Sequence, residues 1–135
     1  MKGQHLAALV LGLVLGFAGP ARADAVDDLL KEYTSEGASN FSAADGKEFW
    51  DHNTLNKETK EQRRCSLCHT DNLKAEGKHA VTGKKIEPMA PSVNPKRLTE
   101  VAQMEKWFKR NCKWVLNREC TPQEKGNVLV MLRNK

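Results

Sequence analysis

Cys65-Ser66-Leu67-Cys68-His69 (CSLCH) is the stretch on which the reading of this 135-residue chain turns. Two thiols separated by two residues fit one helical turn, and an imidazole follows at once. The arrangement suits covalent attachment of a haem: each sulfur bonds one vinyl-derived carbon of the porphyrin, and the adjacent imidazole lies under the iron. A bare C-x-x-C also fits zinc or a redox dithiol. Zinc would need a second ligand pair, and Cys112 and Cys120 stand eight apart with no companion His. A thioredoxin-like dithiol would need a βαβ setting, which the pattern lacks. The motif occurs once, so one covalent haem c is expected, on Cys65 and Cys68, with His69 as proximal ligand.

Residues 1–23 have the form of an export signal. Lys2 gives a positive start, Leu6 to Phe17 is an apolar run short for a bilayer, and Ala21-Arg22-Ala23 offers an A-x-A cleavage site. The expected mature chain is one domain, residues 24–135, in the periplasm and without stable membrane insertion. A retained anchor is the alternative. Lys2 and Arg22 leave with the signal and no acidic residue does, so the formal charge falls from +5 to +3. No Lys/Arg cluster with interleaved aromatics stands out, which argues against nucleic acid. Thiols pair in an oxidising space. With Cys65 and Cys68 committed to haem, Cys112 and Cys120 are left to bond each other or to stay as two buried thiols.

Helical signals fill most of the rest. Asp24 to Glu36 carries Val26, Leu29, Leu30 and Tyr33 at helical spacing behind three aspartates, and Gly37 ends it. Ser42 caps a short helix to Asp51 with Phe49 and Trp50. Residues 53–64 are polar, and residues 70–98, with Pro88, Pro91 and Pro95, read as loop or short hairpin. A helix is expected from Thr99 to about Asn111, on the stripe Val101, Met104, Trp107 and Phe108. Thr121-Pro122-Gln123-Glu124 is a capping box opening a last helix, with Val128, Leu129, Met131 and Leu132 as its buried face. The fold class is all-α.

What faces the iron opposite His69 stays open at this level. Met89, in the loop IEPMAPS, offers a thioether, as electron-transfer haem proteins often use, or mere packing. His79 and His52 would each give a bis-His iron, though an isolated His is more often a surface group. Asn111 stands just before Cys112, where an ordinary helix-stop Asn would stand too.

Three blocks carry a resemblance: CSLCHT at 65–70, TGKKIEPMAPSVNPKRLTEV at 82–101 and EKWFKRNCKWVLNRECTPQEK at 105–125. Together the chain resembles the sphaeroides haem protein family, high-spin, oxygen-binding relatives of cytochrome c″. The resemblance implies a class I cytochrome c-like fold with one covalent haem and an added N-terminal helix. It implies a Cys112–Cys120 disulfide and a remote iron ligand just before it: a His in cytochrome c″, Asn111 here. Met89 then becomes haem packing. A dihaem cytochrome c is implied as redox partner, in a short chain that also contains a membrane cytochrome b and ends at this protein.

An amide oxygen is a hard donor that suits ferric iron and holds ferrous iron poorly. The expectation is therefore a periplasmic electron acceptor that is high-spin when reduced, releasing Asn111 so that ferrous haem binds O2, NO or CO. The rivals are a plain Met- or His-ligated electron carrier and a small haem peroxidase or reductase. The second lacks any acid/base pair that the sequence itself places.

Overall fold

The computed structural model describes residues 24–135; the expected export signal, residues 1–23, lies outside them. The described residues form five helices and two short ribbons: α1 (Ala25–Ser35), α2 (Ala43–Asp51), β1 (Thr54–Leu55), β2 (Gln62–Arg63), α3 (Cys65–His69), β3 (Gly77–Lys78), β4 (Lys85–Ile86), α4 (Val101–Leu116) and α5 (Pro122–Arg133). β1 pairs antiparallel with β2, and β3 with β4.

Local chemistry accounts for most of the helix starts. The Asp24 carboxylate accepts the Val26 N–H, and the Ser42 hydroxyl accepts that of Asp45. Thr121 and Glu124 form the reciprocal capping box with Pro122 at the first helical position. α5 is the spine. Leu129 enters one apolar cluster with Val26, Leu29, Tyr33, Ala38 and Met104. Val128, Met131 and Leu132 enter a second with Trp50, Leu73 and Ala90. α2 crosses α5 so closely that a Cβ on Gly46 would lie 2.2 Å from the Asn127 carbonyl oxygen. Only glycine permits that approach. The polar side chain buried beside it is satisfied: Asn127 Oδ1 accepts from the Ser42 N–H at 2.9 Å and from Gln123 Nε2 at 3.1 Å.

The fourth helix departs from expectation at both ends. It begins at Val101, with Glu100 as a cap that makes no side-chain bond, and runs on through Asn111 and Cys112 to Leu116. Its stop is Asn117, in the left-handed region at φ 60°. Asn111 is thus not a helix-ending Asn, because burial of Cys112 and Val115 carries the helix past it. Side-chain bonds near both ends help hold α4 to the rest. Tyr33 donates to Glu105, which also takes the Lys125 ammonium at 2.8 Å, joining α4 to α1 and α5. Near its far end, Asn56 Nδ2 donates to Asn117 Oδ1 at 3.1 Å.

Candidate haem site

CSLCH forms the single turn α3, and its two thiols are unbonded. Behind it, the β3–β4 hairpin packs so tightly that a Cβ on Gly77 would sit 2.1 Å from the Cys68 carbonyl oxygen. The Ala80 N–H points at the Cys68 sulfur, 3.3 Å away. In front lies α2, whose Trp50 ring is 5.4 Å from that of His69.

The residues present fit a covalent haem. His69 Nδ1 is buried with no hydrogen-bond partner. Burial, aided by the Arg97 charge, pushes the His69 pKa down to about 4, so the ring is neutral near pH 7, the form that binds a metal. Burial pushes the Cys65 thiol up to about 12, with Asp51 and Cys68 adding to the rise. A redox-active C-x-x-C has the opposite signature, a lowered thiol pKa. Among the described residues, no three His, Cys, Asp or Glu side chains gather as a metal cluster, which leaves the zinc reading without ligands.

The candidates for the outer face are dispersed. Met89 is half-buried against the cluster that contains Trp50, Leu73 and Ala90. Its N–H and that of Ala90 both donate to the Leu73 carbonyl, at 3.0 and 2.9 Å. His52 is the exposed cap at the end of α2. His79 Nδ1 accepts the N–H groups of Val81 and Thr82, both at 3.2 Å. That bonding leaves the proton on Nε2, the wrong tautomer for Nε2 to bind a metal.

Asn111 stands differently. It lies three residues after Phe108 and four before Val115, in line with Met104, on the stripe α4 turns inward. Its neighbours on that stripe are buried or half-buried, yet Asn111 is exposed. Next to it, Cys112 and Cys120 have their sulfurs within bonding distance and their Cα atoms 5.5 Å apart. The segment between them is less of a loop than its sequence suggests. Its first half is the last turn of α4, so Asn111 is held on helix, not on a strap.

The sequence reading passed over Arg63. It is only 8% exposed, with its guanidinium 4.2 Å over the Trp114 ring and Nη1 donating to the Trp114 carbonyl at 3.0 Å. Nothing in the polar run around it distinguishes it from Arg64.

Comparison with known proteins agrees with this geometry. A family model described as "Domain of unknown function (DUF1924)" matches residues 36–132. The chain belongs to this family. Cytochrome c″ of Methylophilus methylotrophus is 41% identical over 91 residues, which is 67% of this chain and 62% of that protein. Cytochrome c-type protein SHP of Cereibacter sphaeroides is 46% identical over 68 residues, 50% of this chain and 52% of that one. The chain thus spans between half and two thirds of the length of these curated relatives. Among solved structures, oxidized cytochrome c″ superposes with a TM-score of 0.72 at 33% identity, over 82% of this chain and 94% of that one. Oxidized SHP, described as an oxygen binding cytochrome c, superposes with a TM-score of 0.72 at 34% identity, over 82% and 96%. This DUF1924 chain therefore has the cytochrome c″ and SHP fold expected of it, and its cofactor is one covalent haem c.

Proposed function

We propose that this protein is an exported monohaem cytochrome c that binds a diatomic gas when reduced. Cys65 and Cys68 tether the haem, His69 holds one face of the iron, and Asn111 closes the other only in the oxidised state. What carries the reading is the position of Asn111, exposed at the centre of the inward stripe of α4. Asn in a helix interior costs about 0.5 kcal/mol relative to Ala, so packing and propensity alone give no reason for it there.

When bound, the haem supplies a one-electron couple and, in its ferrous state, a coordination position for O2, NO or CO. The Asn111 amide oxygen, a hard donor, matches ferric iron and is a poor partner for ferrous iron. The helical backbone keeps Asn111 in place, so its release needs only side-chain rotation. Tyr33–Glu105 and the Cys112–Cys120 bond restrain α4 on either side of it. Once free, the amide N–H groups are donors available to a bound ligand. Met89 packs beside the haem. Electrons come from another exported cytochrome, a dihaem protein by the family resemblance. The relative SHP, which is described as oxygen binding, supports the gas-binding half of this reading.

Optical and resonance Raman spectra of the dithionite-reduced protein test it. Five-coordinate, high-spin ferrous iron with rapid CO binding is expected. Six-coordinate, low-spin ferrous iron with a methionine signature would sink the proposal. Asn111→Ala should change the ferric coordination spectrum, whereas Met89→Leu should leave it nearly unaltered.

A further inference from the structure

One side of α4 is turned toward the haem tether, and it carries two indoles. Trp114 fixes the direction. Its ring lies 4.2 Å from the guanidinium of Arg63, which stands two residues before Cys65. It also lies 6.4 Å from the His79 ring, in the hairpin whose Ala80 N–H points at the Cys68 sulfur. Trp114 is thus beside the neighbours of both thiols. Asn111 comes three residues earlier and Trp107 four before that. Spacings of three and four place all three on one side of the helix. Glu105, two residues before Trp107, bonds Tyr33 of α1 and Lys125 of α5 instead. Residues two apart on a helix point nearly opposite ways.

The order along the axis follows from the helical rise. Asn111 lies about 4.5 Å along α4 from Trp114, and Trp107 about 6 Å beyond Asn111. Trp107 is therefore the aromatic on the far side of Asn111 from the tether. It is 42% exposed. A lone exposed indole is ordinary; this one is restrained. The Arg110 guanidinium lies 5.3 Å from its ring centroid, within cation–π range. The spacing sets Arg110 and Asn111 on opposite flanks of Trp107, so the cation braces the flank that faces away from the amide.

We propose that Trp107 is a wall of the pocket in which the diatomic ligand binds, and that Arg110 holds the indole in place. The inference rests on the reading of Asn111 as a cap released on reduction. Steric access and polarity on the ligand side decide what a haem binds. The freed amide supplies a hydrogen-bond donor, and the indole beside it limits size and keeps water away. A small neutral gas fits that combination, and a bulky or charged ligand does not.

Flash photolysis of the CO complex of the dithionite-reduced holoprotein gives the association rate, and infrared spectroscopy gives the C–O stretch. Trp107→Ala should raise the rate several-fold and shift or broaden the band, as water enters beside the ligand. Arg110→Gln should do the same more weakly, by freeing the indole. Lys109→Ala, two residues from Trp107 and so on the other side of α4, should change neither. A wild-type protein that binds CO rapidly, with rate or band unmoved in Trp107→Ala, would overturn this inference and leave the gas-binding reading standing. A wild-type ferrous protein that stays six-coordinate and refuses CO would overturn both. Should Trp107→Ala fail to fold, Trp107→Phe decides: a smaller rise in rate with a shifted band is expected, and wild-type values for both would sink the proposal.

Discussion

Two helix-interior positions in this molecule make opposite use of their side chains. At the centre of α2, Gly46 has none, and the α5 backbone comes close enough that a Cβ would meet the Asn127 carbonyl at 2.2 Å. On the inward stripe of α4, Asn111 has a polar side chain that is exposed. The α2–α5 crossing is closed by protein on protein, whereas α4 at Asn111 is exposed. The first position is a stability device and the second, in the reading proposed above, a chemical one. Stability and coordination should therefore separate cleanly between them.

The largest effect is expected at the closed crossing. Gly46→Ala should lower stability by roughly 2–3 kcal/mol, because overpacking against backbone outweighs the helix propensity that Ala gains. Thermal unfolding of the holoprotein measures it, and an unchanged melting temperature would mean the two helices are less tightly apposed than described. Removing the bridge at the end of α4 comes next. Cys112→Ala with Cys120→Ala should cost roughly 2–3 kcal/mol for a loop this short. It should also broaden the ferric coordination spectrum if α4 is what positions Asn111.

A smaller effect is expected at the start of α5. Burial pushes the Glu124 carboxyl up, but the hydrogen bonds from Arg118 and from the Thr121 N–H outweigh it and hold its pKa below the usual range. A depressed folded-state pKa adds stability above the usual carboxylate pKa, and that stability is lost as pH falls through the lowered value. Glu124→Gln should cost about 1 kcal/mol at neutral pH and flatten the acid limb of the stability profile. Denaturant unfolding across pH would show both.

Least of all should happen to stability at the open position. Asn111→Ala should be neutral or stabilising by about 0.5 kcal/mol, since Ala is the better helix former, while the ferric spectrum changes. A loss as large as that at Gly46 would make Asn111 a packing residue and erase the contrast between the two helices.

Much of this was legible in the order of residues, because the signals were local. Ser42 three before Asp45, Thr121 three before Glu124 and Pro122 between them each act within one helical turn, and each element begins where they stand. CSLCH is equally local, since two thioethers and an imidazole on one turn need no distant partner. Asn111 and Asn117 mark where such reading ends. Either can stop a helix, and the choice fell to Asn117 because Cys112 and Val115 find burial only in the assembled fold. His79 likewise looked free to bind a metal until the hairpin turned two backbone N–H groups onto its Nδ1.

What the chain's order determined by itself was the haem tether, the all-α class and the caps that open α2 and α5, all set by interactions spanning a few residues. Tertiary structure alone decided the length of α4, the exposure of Asn111 within a buried stripe, and the depth of Arg63. Those depend on segments some 50 residues apart, such as Arg63 and Trp114, meeting at hydrogen-bond distance. No pattern within one turn or one strand encodes such a meeting.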